Sequence, residues 1–296
     1  MELRVLQYFL AVAREKSISA AAASLHLSQP TLSTQLRQME EELGKQLLIR
    51  GSKGSRRVEL TEEGLIVRRR AEEILSLVQK MENEVTVSDQ AVEGDICIGA
   101  GETDSMRLLA QAAQRLEARG HRIRYHISSG NAGFVLDQLD KGLIDLGLVY
   151  TEVDPRKYES IPLPLKDRMG VLMRQDDPLA SKEFLTPQDL WKRRLILSHQ
   201  QGTEQQVSGW LKRNVTRLQV VATYNLVFNA SLLVDEGFGI AICLDKLIHT
   251  EGSNLCFRPL EPPFELTAHL VWKKYPVFSK ATEKFLEELQ AMLGTG

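Results

Sequence analysis

A short helix, a tight turn and a longer helix are predicted over residues 17–44, and this feature limits the possible folds most. Ser28 is well placed to cap the longer helix, and Pro30 stands in its first turn, where the missing N–H costs nothing. Gly44 stands where helices commonly end in the left-handed conformation. The apolar residues of this helix recur at helical spacing and are Leu32, Leu36, Met39 and Leu43.

The other face of the longer helix is polar and carries no acid between residues 29 and 38. Glutamine, threonine, serine and arginine have the donors and acceptors that read base edges in the major groove, and the first turn of such a helix usually does the reading. A solvated helix face without a partner is the alternative. The residues expected to contact bases are Ser28, Gln29, Pro30, Thr31, Ser33 and Thr34.

Residues 44–58 carry five basic side chains and no acid. The apolar runs on either side predict two short strands that are joined by a glycine-rich hairpin. A basic hairpin beside a polar helix is what a winged helix-turn-helix presents to DNA phosphates. The residues expected to contact phosphates are Arg50, Lys53, Arg56 and Arg57.

Residues 59–88 predict one long helix, because no proline or glycine follows Gly64 in this segment. Apolar residues recur there in steps of four and three, which is the heptad pattern of helices that pair between subunits. A helix packed on its own chain is the alternative. The predicted seam consists of Val67, Ala71, Ile74, Val78, Met81 and Val85.

From residue 89 onwards strands and helices alternate, which predicts an α/β domain with a parallel sheet. The polar residues 158–168, which include two prolines, are expected to connect two such sets of elements. The run IGAGETD at 98–104 is similar to a dinucleotide-binding turn, but Asp104 stands where the third glycine is required. Six histidines show no metal-binding spacing, so we predict neither an enzyme nor a metal or organic cofactor.

The chain has 296 residues, a formal net charge of -2 and no apolar run long enough to cross a membrane. Its N-terminus lacks the basic start and the cleavage site of an export signal, so we expect a cytoplasmic protein without a membrane partner. Cys97 and Cys243 lie in apolar runs, where buried inert thiols are expected. A redox pair between Cys243 and Cys256 is the alternative.

The N-terminal features together resemble the DNA-binding domain of the LysR-type transcriptional regulators. The matching residues are the alanines before the turn, Leu27-Ser28-Gln29-Pro30, Met39-Glu40 before Leu43-Gly44, and Leu60-Thr61 before Gly64. The later part of the chain also resembles this family, through Leu139-x-x-Gly142-x-x-Asp145-Leu146, Asp177-Pro178-Leu179-Ala180 and Val234-x-x-Gly237-x-Gly239-Ile240-Ala241. The resemblance therefore covers essentially the whole chain.

This resemblance implies a fold class and a domain organisation. We expect an N-terminal winged helix-turn-helix domain at 1–58, with the helix-turn-helix at about 18–37, and a linker helix at 59–88 that forms a dimer. A two-lobed α/β effector domain similar to type II periplasmic binding proteins would follow at 89–296. Lobe I would comprise 90–162 and 268–296, lobe II 163–267, with hinge strands near Val149 and Glu265.

The resemblance also implies a function and its partners. We expect a sequence-specific regulator that binds an inverted-repeat operator in double-stranded DNA as a dimer or tetramer, with RNA polymerase as a further partner of an activator. An unidentified small-molecule effector would bind between the lobes. The implied effector-binding residues are Thr103, Ser105, Asn131, Ser198, Gln200, Asn225 and Phe228. The alternative is a solute-binding receptor of a transport system, because the C-terminal half alone would fit one.

Overall fold

The computed structural model describes residues 1–50, 57–85, 92–199 and 203–294. For residues 50, 80, 83–85, 203 and 204 it describes the backbone only. The chain divides into two compact units, Met1–Thr86 and Val87–Gly296.

The first unit contains four helices and a two-stranded antiparallel sheet in its described part. Its elements are α1 (Leu3–Glu15), α2 (Ile18–Ser24), α3 (Gln29–Leu43), β1 (Leu48–Arg50), β2 (Val58–Leu60) and α4 (Glu62–Val85). The predicted short helix, turn, longer helix and flanking strands are confirmed.

The predicted helix boundaries of the first unit follow from local hydrogen bonds. Ser17 Oγ accepts a bond of 3.3 Å from the Ala20 N–H at the start of α2, and Ser28 Oγ accepts one of 3.2 Å from the Thr31 N–H at the start of α3. Gly44 ends α3 with φ 63°, a left-handed conformation that glycine adopts without steric cost.

One hydrophobic core joins the elements of the first unit. It includes Phe9 of α1, Ala21 of α2, and Leu32, Leu36 and Met39 of α3. The expectation that Leu43 also belongs to this apolar face is wrong, because its side chain is 42% exposed. Leu43 is the last residue of α3, where the helix has already run past the elements that cover its earlier turns.

The second unit contains strands and helices in alternation. Its elements are β3 (Glu93–Ala100), α5 (Met106–Ala118), β4 (Arg122–Ser129), α6 (Ala132–Asp140), β5 (Leu146–Val149), β6 (Tyr158–Arg174), α7 (Pro187–Leu190), β7 (Arg194–Ser198), α8 (Thr203–Leu211), β8 (Gln219–Tyr224), α9 (Val227–Asp235), β9 (Ile240–Leu244), β10 (Leu255–Pro259), β11 (Glu265–Lys273) and α10 (Lys280–Leu293).

The described strands of this unit form one nine-stranded sheet in the order β4-β3-β5-β11-β6-β9-β7-β8, with β10 paired to β6. β3 is parallel to β4 and β5, and β7 is parallel to β8 and β9, as the alternation of elements predicts. The central strands β11 and β6 run antiparallel to each other and to their neighbours β5 and β9. The sheet is therefore mixed rather than wholly parallel.

Residues 158–168, which were expected to connect the two sets of elements, do so as part of a strand. They belong to β6, a single strand of 17 residues. Pairing with β11 shifts register between Thr267 and His269, opposite the stretch from Pro162 to Lys166. Proline is tolerated at such an irregularity, because a residue there does not need an N–H group to donate to the neighbouring strand.

Two groups of hydrophobic clusters lie on either side of the shift in register. Leu163 and Ala268 belong to the cluster of β3, β5, α5 and α10, whereas Met169 belongs to a cluster with β7 and β9. We call the part around β3, β4 and β5 lobe I and the part around β7, β8 and β9 lobe II. Both β6 and β11 pass from one lobe to the other. The hinge position expected near Val149 is wrong, because Val149 ends β5 inside lobe I.

Candidate functional sites

The first candidate site is the exposed face at the start of α3. Gln29, Pro30, Thr31 and Thr34 are exposed, and Ser33 is half-buried. Ser28 Oγ lies 2.7 Å from Thr31 Oγ1 in addition to capping the helix, so these two hydroxyls hold each other in place. The predicted base-contacting residues thus lie together on one helical turn and its cap, supported by the buried Leu32 and Leu36 beneath.

The basic hairpin is only partly described. Lys53 and Arg56 lie outside the described residues, as does the side chain of Arg50. Arg57 is exposed, and its Nε lies 3.4 Å from Glu59 Oε1 on β2. The strands that carry this hairpin are present as predicted, with Arg50 opposite Val58.

The helix α4 has one face on its own unit and one face exposed. Ala71 is 1% exposed and belongs to the core of the first unit, with Val67 and Leu75 packed against the same core. The prediction that Ala71 belongs to the intersubunit seam is therefore wrong, because α1 and its neighbours in the same unit already cover this residue. Val78 is half-buried, and the side chain of Val85 lies outside the description. The exposed apolar residues of α4 are Leu65, Ile66, Ile74, Leu77 and Met81.

The second candidate site is a cavity of about 460 Å³ within the second unit. Strand ends from both lobes line it, so we call it the interlobe cavity. Lobe I contributes the residues after β3 and β5, and lobe II contributes the ends of β7, β8 and β9. Ligands of open α/β sheets characteristically bind beyond the carboxyl ends of the strands. Its polar and ionisable lining side chains include Glu102, Tyr150, Glu152, Ser198, Tyr224, Asn225, Cys243, Glu265 and His269.

Asp167 on β6 is a buried carboxylate that binds three hydroxyl groups. Its Oδ2 accepts hydrogen bonds from Thr103 Oγ1 at 2.9 Å, Ser105 Oγ at 2.9 Å and Tyr150 Oη at 2.6 Å. Burial and the bond to Asp167 raise the pKa of the Tyr150 phenol, so this group stays protonated. Thr103 and Ser105 were both expected to contact a ligand. This expectation is wrong for Ser105, because this residue is 0% exposed. Thr103 is also buried, with its hydroxyl bound to Asp167.

Glu102 connects the two lobes. It follows β3 of lobe I, and its Oε2 accepts a hydrogen bond from the Val227 N–H, the first helical residue of α9 in lobe II. Its neighbour Asp104 accepts a bond of 2.6 Å from Arg107 Nε and lies 3.5 Å from Lys246 Nζ of lobe II. The bond from Arg107 holds the pKa of Asp104 below its usual value, and Lys246 lowers it further. Both acids therefore point towards cationic or N–H groups.

The remaining predicted effector residues have four different outcomes. Ser198 and Asn225 line the cavity, as expected of ligand-binding residues. Asn131 caps α6, where its Oδ1 accepts a bond of 2.9 Å from the Phe134 N–H, and only its neighbour Ala132 is among the lining residues. Phe228 is 63% exposed and is not among the described lining residues. Gln200 lies outside the described residues.

Sequence reasoning missed Tyr150, Glu152, Asp167 and His269. Tyr150 and Glu152 directly follow β5, and the rule that strand ends carry ligand sites could have identified them. Asp167 stands in the segment 158–168, which was expected only to connect two sets of elements, and His269 stands in the strand that was expected near Glu265, so no local signal marked either as a cavity residue.

Two of the cysteines, Cys243 and Cys256, have raised pKa values. Cys243 lines the cavity wall, and burial raises its pKa to about 12. Burial also raises the pKa of Cys256, and all three cysteines are free. Within the described residues no group of three histidine, cysteine or acidic side chains could hold a metal ion, and no helix is long and apolar enough to span a bilayer.

Both units match known families. Residues 3–65 match the family described as bacterial regulatory helix-turn-helix protein, lysR family, and residues 89–294 match the LysR substrate binding domain. A hydrogen peroxide-inducible genes activator of Dickeya chrysanthemi is 30% identical over 197 residues, which span 67% of this chain and 63% of that relative. The regulator BsdA of Bacillus subtilis is 27% identical over 301 aligned residues, 97% of this chain and 99% of that one.

A solved structure shares the fold over nearly the whole length. Full-length CbnR in complex with its target DNA has a TM-score of 0.79 at 19% sequence identity, covering 98% of this chain and 99% of that chain. At this level of identity the likeness concerns the fold alone.

Proposed function

Because the chain belongs to the LysR family of bacterial regulatory helix-turn-helix proteins, we propose that it is a sequence-specific DNA-binding transcriptional regulator controlled by a small molecule in the interlobe cavity. Its partners are an inverted-repeat operator in double-stranded DNA, a second copy of itself in a dimer or tetramer, the effector, and RNA polymerase if it activates. It uses no cofactor, catalyses no reaction and acts in the cytoplasm, where its DNA is.

The observation that carries this proposal is the first turn of α3. Gln29, Thr31 and Thr34 are exposed there on a helix that is capped at Ser28 and packed on a complete core. An amide and two hydroxyls on a rigid turn suit base edges, because their donors and acceptors keep a fixed direction. Arg50, Lys53, Arg56 and Arg57 supply the phosphate contacts that position such a helix.

Dimerisation through α4 gives the operator its symmetry. Ile74, Leu77 and Met81 leave an apolar stripe exposed on one chain, with steps of three and four residues, and the half-buried Val78 adjoins it. A partner α4 would cover this stripe and bring two recognition helices to two half-sites.

One relative is named a hydrogen peroxide-inducible genes activator, but neither Cys243 nor Cys256 of this chain has the properties of a reactive thiol. A reactive cysteine needs a lowered pKa and access to solvent. Cys243 has its pKa raised to about 12 by burial, and the pKa of Cys256 is also raised. A small molecule in the cavity is therefore the better candidate for the signal.

The test begins with selection of an operator from a pool of random DNA duplexes, followed by titration of the selected duplex in a fluorescence anisotropy assay. Gln29→Ala is expected to weaken binding by about 1–3 kcal/mol, the value of one good base contact. Gln38→Ala is the matched control, because Gln38 is exposed on the same helix two and a half turns away. If no duplex is enriched, a solute-binding receptor becomes the better explanation.

A further inference from the structure

Glu102 occupies the position at α9 where an anionic ligand would otherwise bind. The first N–H groups of a helix lack intrahelical partners, and the helix dipole favours negative charge at that end. Here the Val227 N–H is bound by a carboxylate from the other lobe, 125 residues away in the sequence. The first N–H of α9 is thus already bound by a carboxylate of the protein itself.

The other charged groups of the cavity are acidic as well. Glu152 and Glu265 line it with Glu102, and no lysine or arginine is among the described lining residues. Two lysines lie close by but are engaged in exposed ion pairs, Lys166 with Glu265 at 3.3 Å and Lys246 with Asp104 at 3.5 Å. Glu102 and Glu152 therefore face the cavity without a lysine or arginine partner in its described wall.

The two phenols of the cavity offer acceptors and no donors. Tyr150 donates its proton to Asp167 and Tyr224 donates its proton to the Ile242 carbonyl at 2.7 Å. Each phenol oxygen then has only its lone pairs left for a ligand. Burial raises the pKa of both groups, so neither adds a negative charge. Acceptors and carboxylates together complement a ligand that carries N–H donors.

We propose that Glu102 acts as a built-in carboxylate ligand that links lobe I to α9, and that the cavity consequently selects an effector bearing an amino group rather than a carboxylate. The inference rests on the proposed function for the existence of an effector, and it names that effector's chemical class. An ammonium group binds beside Glu102 and Glu152 and adds to the link between the lobes. A carboxylate would have to displace Glu102 from the Val227 N–H.

The first part is tested by chemical rescue of the full chain. Glu102→Ala removes the carboxylate, and its thermal midpoint, followed by tryptophan fluorescence, is expected to fall by roughly 4–8 °C, as for loss of one charge-assisted hydrogen bond in a unit of this size. All three tryptophans lie in the second unit, so the signal reports that unit. Sodium acetate should restore at least half of the loss, whereas sodium chloride at equal ionic strength should not. Wild-type protein should not respond to acetate.

Asp104→Ala is the matched control. It removes a carboxylate two residues away that also lies near a group of lobe II, but one that does not bind a helix start. Acetate should not raise its midpoint. An acetate response that is equal in wild type, Glu102→Ala and Asp104→Ala overturns the proposal, as does a folded Glu102→Ala protein without any response. If Glu102→Ala does not fold, Glu102→Ser also vacates the position of the carboxylate, and the same acetate comparison applies.

The second part is tested with matched pairs of probes on wild-type protein, namely benzylamine against benzoate and butylamine against butyrate. The amines are expected to raise the midpoint more than their acids, and Glu102→Gln should reduce that difference. An acid that stabilises wild type more than its amine, or a complete lack of response to amines, overturns the assignment of ligand class. These experiments involve no DNA, so their failure is distinguishable from failure of operator binding.

Discussion

The predicted base-contacting residues at the start of α3 and the residues of the interlobe cavity are brought together in different ways. The former lie within one consecutive segment, Ser28 to Thr34, and one helix with its cap arranges them. The cavity combines residues from Glu102 to His269, which meet only after strands of both lobes have paired. The first site depends on local structure, while the second depends on tertiary structure, and their sensitivities to mutation should differ accordingly.

Asp167→Ala is expected to have the largest effect, and it tests whether the cavity depends on tertiary structure. It leaves three buried hydroxyls, those of Thr103, Ser105 and Tyr150, without their acceptor, so we expect a loss of at least about 3 kcal/mol in the free energy of unfolding. Urea unfolding monitored by tryptophan fluorescence measures it. Glu251→Ala, at an exposed position, is the control and should leave the midpoint unchanged. A similarly small effect of Asp167→Ala would mean that the cavity wall does not depend on this carboxylate.

Alkaline pH should weaken the second unit alone through its buried thiol. Because the pKa of Cys243 is raised to about 12, the folded state holds its proton where the unfolded state releases it, and stability falls as pH rises above the unfolded pKa near 9. At pH 10.5 the loss amounts to roughly 2 kcal/mol, from 1.36 kcal/mol per pKa unit. Cys243→Ala should make this slope shallower in tryptophan-monitored unfolding under reducing conditions, while the phenols of Tyr150 and Tyr224, whose pKa values are also raised, retain part of it. An unchanged slope would show that the thiol does not contribute.

The exposed apolar stripe of Ile74, Leu77 and Met81 on α4 belongs to neither site and shares Ile74 and Met81 with the predicted subunit seam. Leu77→Glu places a charge on the exposed apolar stripe, so we expect the dimer dissociation constant to rise at least tenfold, or about 1.4 kcal/mol. Analytical ultracentrifugation over a range of concentrations measures it. Ser76→Glu adds the same charge at the neighbouring exposed position and should have little effect. Equal effects of both variants would exclude a specific seam.

The smallest expected effect concerns the cap of α3. Ser28→Ala removes the acceptor of the Thr31 N–H and should cost about 1 kcal/mol, which corresponds to roughly fivefold faster amide exchange in the first turn. Hydrogen–deuterium exchange of peptides from α3 measures this, with Thr34→Ala as a control that leaves the cap intact. The tryptophan signal of the second unit should not change. A change there would contradict the view that this site is locally determined.

Much of the first unit could be predicted because its signals lie within a few residues of one another. Ser17, Ser28 and Gly44 mark helix ends through their own backbone contacts, and the spacing of Leu32, Leu36 and Met39 identifies the buried face. Two predictions went wrong where neighbours in space decide. Leu43 continues the pattern beyond the core, and Ala71 fits a heptad but is covered by its own chain.

In the second unit the sequence predicts the parallel strands, whereas the crossing strand that begins at Glu265 was expected only through the family resemblance, and β6 was not expected. The prolines at 162 and 164 read as a loop, yet the shift in register against β11 accommodates them inside β6. The bond from Val227 to Glu102 could not be predicted, since the direction of an acidic side chain after a strand depends on what the other lobe places opposite it. Ser198 and Asn225 were identified through the family resemblance and do line the cavity.

The three hydroxyls gathered on Asp167 also bear on how such proteins diverge. Loss of Asp167 leaves three hydroxyls without their acceptor, whereas joint replacement of the carboxylate and its donors by apolar residues of similar shape can be close to neutral. Replacement of the carboxylate alone is therefore selected against, although joint replacement of all four residues is not. Thr103, Ser105, Tyr150 and Asp167 are expected to covary among descendants of this gene, so that lineages keep the set intact or replace it together.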